Sequence, residues 1–509
     1  MSAAIEGLRR YAEANWPRLL TQMDRDPDSP TFGCFDRNYW HYKIRDFPSS
    51  ILQQGVFTLD AIRCGHLGHD AANRTVLEAW CAAAVNALER QVNSAGSVDE
   101  YYPFEHSFPS AAFALYAAAH SFSEWQRSAP QIAARIRMDG LRRLARHMSQ
   151  RAEREASNQQ AAALAGLALA ASVSELDIQR PVVESHADLF FPTQHPEGWF
   201  NEYGGPDFGY LTVTLDALVD YHDATGDARA IHACDRAIEF LAALIGADGQ
   251  LPWTLNSRNT IYVVPYGLVR RAAQNRRAAW LVEQLFRDAG DPKRHFLWAT
   301  DDRYTSHYIY ASVVRSLPFL GGMVDPEPPA PVREQWLSGC GYWIRHRQGW
   351  SVYVGAKKGG LVRLHSASAA ARLDHGWRIG ASGNGCWTTN WWTDAHSIEP
   401  AASSIVIRGA ATRTRYHVPT PVKHTVLRLL AWVFRHRLIP FLKKMMIFRS
   451  GSNSGPAFTR TVAITSEGVR IEDQFTNLPS GSKVQHSPYQ NLRHVASADS
   501  FSAEEWATP

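Results

Sequence analysis

Apolar residues recur along this chain in two rhythms. From residue 1 to about 320 they return every three or four positions in Ala- and Leu-rich stretches, and this spacing predicts helices over 75–91, 110–125, 131–155, 157–174, 211–225 and 229–245. Breaks fall where Pro and Gly gather, at Tyr102-Pro103, at His195-Pro196-Glu197-Gly198 and at Gly246-Ala247-Asp248-Gly249. Ten or more helices joined by short loops suit a toroid of antiparallel helix pairs, with the loops at one end lining a cleft. No repeat of fixed period is visible, which argues against a regular solenoid.

Beyond residue 325 the rhythm changes. Pro326-Glu327-Pro328-Pro329-Ala330-Pro331 cannot sustain a helix and reads as a linker. After it the apolar period drops towards two, and 349–355, 360–365, 404–408, 459–464 and 469–475 read as short strands of an antiparallel β-sandwich. The predicted class is therefore α+β multidomain: an (α/α) toroid over 1–325 that carries the catalysis, a linker over 326–331, and a β-sandwich over 332–509. One stretch breaks the strand rhythm. Over 421–449 the spacing is helical again, with Val422, Val426, Leu429, Leu430 and Val433 on one stripe and Pro440 expected to break or kink the helix.

Charge makes that insertion stand out. The chain of 509 residues has 53 Lys and Arg against 49 Asp and Glu, a net of +4. Between Glu399 and Glu467 there is no acidic residue, while 11 basic ones fall in that window and the other 42 face all 49 acidic residues. An acidic body with one basic segment excludes a pervasive nucleic-acid-binding surface, and 45% hydrophobic content excludes intrinsic disorder. An amphipathic basic helix with aromatics predicts contact with an anionic membrane surface through Arg428, Trp432, Arg435, Arg437, Lys443 and Lys444; packing on the sandwich and a protein partner are the alternatives. No run of eighteen apolar residues predicts a membrane span, and Arg9, Arg10, Glu13 and Arg18 interrupt any signal-peptide core. The expected location is cytoplasmic, peripheral to the inner membrane face if the basic helix binds there. Six scattered cysteines without C-x-x-C spacing read as reduced, mostly buried thiols.

Candidate chemistry sits in polar and aromatic islands within the helical half. Around Arg37, Trp40 and His41, rings suited to stacking on sugars stand beside cations suited to a carboxylate. His106 precedes a helix and is a candidate base, and Ser157-Asn158-Gln159 opens another helix, with Ser157 read as its cap. The densest island, 197–210, places Glu202, Tyr203, Asp207 and Tyr210 on one Gly- and Pro-rich loop, where irregular backbone commonly positions catalytic groups. Arg258 and Asn259 follow in a softer island, and His307 precedes the last helix of the domain. In the second half, His365, Asp374 and His375 are candidates to complete the cleft. No P-loop or other nucleotide-binding motif is present, so no cofactor is expected; metal binding by His365, Asp374 and His375 is the alternative to ordinary surface or strand-pair roles, and no metal is expected.

Taken in order, Phe35-Asp36-Arg37 with Tyr39-Trp40, Glu105-His106-Ser107, Ser157-Asn158-Gln159, Glu202-Tyr203-Gly204-Gly205-Pro206-Asp207 with Gly209-Tyr210, and Ser257-Arg258-Asn259-Thr260 resemble the heparinase II/III-like proteins of bacterial surface-polysaccharide clusters. The resemblance spans roughly residues 30–475. It implies a toroid followed by a β-sandwich, and it implies a polysaccharide lyase or uronyl C5-epimerase acting on a polysaccharide or its lipid-linked precursor. In that chemistry a uronate carboxylate is neutralised, a base removes the C5 proton, and for a lyase an acid protonates the leaving oxygen. By the same resemblance Asn158 and Gln159 stand where the lyases often have Asn-His, with Gln replacing His, and Tyr210 is the candidate catalytic tyrosine. Two other readings stay open: a glycoside hydrolase using Glu202 and Asp207 as paired carboxylates, and a non-catalytic glycan-binding component of an assembly system.

Overall fold

The computed structural model describes residues 2–68, 73–246, 248–330, 333–366, 371–381, 385–414, 418, 420–443, 455–466 and 468–487. Among these residues the regular elements up to Gly322 are helical, and from Glu334 antiparallel strands take over. Small side chains set the packing of the helical half. In the Ser157–Ala171 helix Ala161, Ala162, Ala163, Leu164 and Ala165 are all fully buried, the signature of a helix surrounded by others. The Phe108–Ser128 helix packs on Ser157–Ala171, that one on Phe208–Thr225, and that one on Tyr266–Ala272. The succession continues through Tyr310–Ser316 and Val56–Arg63 back to Phe108–Ser128. Outside it lie helices with one polar face, among them Asp139–Ser149, Ala228–Leu244 and Arg276–Leu285.

Two helical expectations need correction. The stretch 131–155 is not one helix: Pro130–Ala133 and Asp139–Ser149 are separated by a turn, and the chain is irregular from Gln150 to Ala156. Tertiary hydrogen bonds override the local spacing. Asn86 donates to the Arg135 carbonyl at 2.9 Å and accepts from the Arg137 N–H at 2.8 Å, while Gln160 accepts from the Glu153 N–H at 2.7 Å. Ser157 is not a cap either. Its hydroxyl donates to the Asn201 carbonyl at 2.8 Å, and the orphan N–H of Asn158 is taken by Glu202 Oε1 at 2.7 Å.

The strands form three sheets. The first is a meander of β1 (Glu334–Leu337), β2 (Tyr342–Arg347), β3 (Trp350–Gly355), β4 (Leu361–Ser366) and β5 (Arg372–Asp374). After these come β6 (Trp377–Ala381), β7 (Gly385–Thr388), β8 (Ser397–Pro400), β9 (Ser404–Ala410), β10 (Thr412–Thr414), β11 (Ala457–Thr465), β12 (Gly468–Thr476) and β13 (Lys483–His486). They pair in the orders β10-β7-β6-β13 and β12-β11-β9-β8. Side chains alternate across a strand, and β2 and β3 use both faces. Trp343, Val352 and Val354 share a core with Ile405, Ile407, Phe458 and Val462 of the β8–β12 sheet. Tyr342, Ile344 and Tyr353 join the core of the helical half. The first sheet is thus the layer between helices and strands.

The predicted insertion helix is present as Pro421–Phe434, but it ends before Pro440. Arg435 has φ 49°, a left-handed conformation that terminates the helix, and a short turn leads into Leu438–Lys443. The side chain of Lys443 and all of Lys444 lie outside the described residues. Among the described residues no helix is long and apolar enough to cross a membrane. All six cysteines are free thiols, four of them buried.

Candidate functional site

The site is built where the beginnings of several buried helices meet. Ala156 bridges to Glu202 in a short antiparallel contact, and the Ser157 N–H donates to the Asn201 carbonyl at 3.1 Å. This sets the start of the Ser157–Ala171 helix against the 197–207 loop. Asp207 caps the Phe208–Thr225 helix by accepting the Tyr210 N–H at 3.2 Å. The 256–260 loop then folds onto the same place: the Ser257 N–H donates to the Pro206 carbonyl at 2.9 Å, and its hydroxyl to the Glu202 carbonyl at 2.9 Å. Tyr203 and Asn259 hold φ of 54° and 62°, so both turns carry backbone strain that the surrounding bonds enforce.

At the centre stands the Arg258 guanidinium, 3% exposed, with its Cζ 4.3 Å from the centre of the Tyr203 ring. Burial works against its charge, but the neighbouring Tyr210, Tyr203, Glu202 and Asp207 hold its pKa above the usual value. Glu202 is 2% exposed, and burial pushes its carboxyl well above the usual range, which favours the protonated form. Its Oε1 accepts from Asn158; its Oε2 is buried and has no hydrogen-bond partner among the described residues. Tyr210 sits edge-on to Tyr262 and Tyr308 at 6.4 Å each, and the hydroxyls of Tyr262 and Tyr308 share a hydrogen bond. Burial raises the Tyr210 phenol far above its ordinary value, so it too is protonated at rest.

His307 belongs to the same cluster. Its ring lies 4.4 Å from Tyr308 and stacks parallel to Tyr304 at 5.9 Å, and its Nδ1 is 2.8 Å from Gln54 Nε2. Burial first, then the nearby Arg303, lowers its pKa well below the usual histidine value and keeps the imidazole neutral. Gln159 donates to the Tyr203 hydroxyl at 3.5 Å, and its Oε1 has no partner among the described residues. Tyr203, Tyr210, Glu202, Asn158, Gln159, Arg258 and His307 therefore lie in one buried cluster. Asn259 lies one step away, accepting a hydrogen bond from Lys358.

The remaining candidates fall elsewhere. Asp207 is fully buried and its two oxygens are occupied by the N–H groups of Tyr210, Arg258 and Thr260 and by the Thr260 hydroxyl. Its predicted catalytic role is replaced by capping and loop-fastening, because no oxygen remains to act on a substrate. His106, at φ 53°, donates its backbone N–H to Asp99 at 2.9 Å, and its ring faces His436 at 6.5 Å rather than Arg258. Arg37 and Trp40 donate to the carbonyls of Thr21 and Gln22, at 3.3 and 2.7 Å, and His41 is exposed beside them. Arg37 and Trp40 fasten a surface turn to the end of the first helix. His365 is engaged by Arg363 and by Asp248 at 2.7 Å, and Asp374 by Arg460 at 2.8 Å, so neither completes the cleft.

Besides His375, the sheets contribute groups that the sequence did not single out. Lys358 Nζ donates to the carbonyls of Thr254 and Asn256 at 2.7 and 2.8 Å, pinning the loop that carries Arg258. Trp392 Nε1 donates to the Gly204 carbonyl at 2.9 Å and lies flat against Gly205, where a Cβ would come 2.2 Å from the indole. Asn390 is 1% exposed and neither amide atom has a partner among the described residues; His375 beside Lys358 is held down to about 4 by burial and that lysine. The aromatic run Asn390-Trp391-Trp392 was the one available signal. Among the described residues no group of three or more His, Cys, Asp or Glu is placed to hold a metal ion.

No family model matches this sequence, and no curated protein matches it. Solved structures do match, among them a GH127 β-L-arabinofuranosidase from Geobacillus stearothermophilus T6. The identity is 12%, the match covers 82% of this chain and 93% of that one, and the TM-score is 0.36.

Proposed function

We propose that the protein is a carbohydrate-active enzyme that abstracts the proton α to a uronate carboxylate, as a polysaccharide lyase or a uronyl C5-epimerase. Its substrate in this reading is a bacterial surface polysaccharide or the lipid-linked precursor of one, as the likeness to the heparinase II/III-like proteins implies. The closed succession of packed helices supports reading the first half as an (α/α) toroid. The core shared by two sheets supports reading the second half as a β-sandwich.

The observation that carries the reaction is a buried guanidinium stacked on Tyr203, with Tyr210 and Glu202 as charge neighbours and a buried Glu202 oxygen that has no hydrogen-bond partner among the described residues. Arg258, with the amides of Asn158 and Gln159, is the receptor for the substrate carboxylate, and the converging helix N-termini add positive potential there. Neutralising that carboxylate acidifies the C5 proton. Tyr210 takes the proton as a phenolate: its own phenolic proton must first leave to solvent, and the neighbouring Arg258 charge favours that ionisation against the burial that keeps the phenol neutral at rest. Glu202, whose protonated form burial favours, supplies a proton to the leaving oxygen in a lyase.

Incubation with a panel of uronate-containing polysaccharides tests this. New ultraviolet absorbance from an unsaturated uronate is expected, with loss of at least ~100-fold in rate on Tyr210→Phe or Arg258→Met. New reducing ends without absorbance would instead mark a hydrolase. That second reading is favoured by Glu202, whose burial-raised carboxyl suits a general acid, but it lacks a free second carboxylate because Asp207 is fully engaged.

A further inference from the structure

The Pro421–Phe434 helix touches the rest of the molecule along a narrow line. Ala431 is buried and Leu427, one turn earlier, is half-buried. Beside them Arg428 makes a bidentate pair with Asp46, at 2.9 and 3.0 Å, exposed on both sides and therefore weak. Everything else about this helix points outward. Val422, Val426, Leu429 and Val433, at spacings of four, three and four, lie on the side opposite Ala431 and are 72%, 48%, 58% and 61% exposed. Trp432 and Phe434 flank them and are also exposed.

Two distant segments bring apolar tips to the same neighbourhood. Asp46, which holds Arg428, follows Tyr42 and Ile44, and Ile44 is 73% exposed. His436, just past the helix, faces His106 at 6.5 Å, two residues after the exposed Phe104. Residues from three parts of the chain thus present apolar side chains together, an arrangement that a soluble surface rarely tolerates without a use. The helix and its flanks carry charge of one sign, while on the neighbouring segments Asp46 is paired with Arg428 and Asp99 accepts the Phe104 N–H. Lys43 adjoins Ile44; Lys423, Arg435 and Arg437 border the helix; and no acidic residue occurs from 400 to 466.

We propose that this face docks on an anionic lipid bilayer, with the Pro421–Phe434 helix lying in the plane of the headgroups and Ile44 and Phe104 entering beside it. The helix has 14 residues, too few to cross a bilayer, and its face is convex rather than a groove for a peptide. Its apolar stripe with cations alongside is the pattern that buries in the acyl boundary while lysine and arginine reach lipid phosphates. Docking of this kind is independent of the reaction proposed above. It also sets a direction: Tyr101, under Arg303 at 4.7 Å, belongs to the same loop as Phe104, so the rim nearest the candidate site faces the lipid.

Co-sedimentation of the full-length protein with phosphatidylcholine vesicles, and with vesicles containing about 30 mol% phosphatidylglycerol, tests this at low salt. Binding to the anionic vesicles at least ~10-fold tighter than to the neutral ones is expected. Trp432→Asp with Val433→Asp is expected to weaken it ~10-fold or more, and Ile44→Asp in the distant segment several-fold, with thermal unfolding unchanged because these side chains are exposed. No binding to the anionic vesicles, equal binding to both kinds, or binding that survives all three aspartates would overturn the proposal.

Discussion

Glu202 illustrates how one side chain serves both fold and chemistry. Its Oε1 closes the start of the Ser157–Ala171 helix, and its Oε2 is left buried without a partner beside Arg258. Because burial raises its folded-state pKa above the unfolded value, the stability tied to the neutral carboxyl is complete below the unfolded pKa and is lost as pH rises. Glu202→Gln preserves the acceptor for the Asn158 N–H and cannot ionise. Its stability relative to the natural protein is therefore expected to increase between pH 5 and pH 9, read by urea unfolding at both pH values, while activity falls. A flat difference would mean that Glu202 is ionised in the folded protein. At this scale the sequence was most informative: a loop crowded with Glu202, Tyr203 and Tyr210 among glycines announces a site. It did not separate Glu202 from Asp207. Both are acids on the same loop, and only the four donors around Asp207 make one of them a fastener.

Among elements, the arginine in the β11 strand ties two sheets together. Arg460 is 1% exposed and donates to Asp374 at 2.8 Å, to Asp473 at 2.8 Å and to the Gly360 carbonyl at 3.0 Å, tying β12 and β11 to the end of the first sheet. Burial alone would raise Asp374, but Arg460 holds it below the ordinary carboxylate value, so this contribution is present at neutral pH and lost as acid protonates it. Arg460→Met removes the cation and strands two carboxylates, an expected loss of about 3–5 kcal/mol in chemical denaturation at pH 7. A change near zero would show that the pair is replaceable by packing. The elements themselves were legible where periodicity was long. The 404–408, 459–464 and 469–475 strands and the helices over 75–91 and 211–225 are all present, within a few residues of their expected ends. The 131–155 stretch failed because its boundaries are written in side chains outside it, Asn86 far away in sequence and Gln160 in the next helix. The 421–449 segment failed at its end because Arg435, not Pro440, turns the chain.

For the whole molecule, the division into a helical half and a half of antiparallel sheets was visible in the change of apolar period. The layer that joins them was not. Tyr342 and Tyr353 face the helices while Trp343 and Val352, their neighbours, face the other sheet, and single-sequence alternation gives no hint of which partner each face meets. The same holds for Lys358 and Trp392, which reach across that boundary to brace the loops carrying Arg258 and Gly204. Gly205→Ala probes this joint, since the added methyl meets the Trp392 indole at 2.2 Å and must push the sheets from the site. Reduced activity with secondary structure intact, by circular dichroism, is the expected outcome; full activity would mean the brace is dispensable.

The central claim is that Arg258 and Tyr210 make a carbon acid of the substrate. A uronate polysaccharide carrying deuterium at C5 reports on this directly, because elimination and epimerisation both release that label to water, whatever follows. Nuclear magnetic resonance of the recovered sugar is expected to show loss of deuterium with the natural protein and its retention with Tyr210→Phe. Cleavage of the chain with the C5 label fully retained would contradict the account.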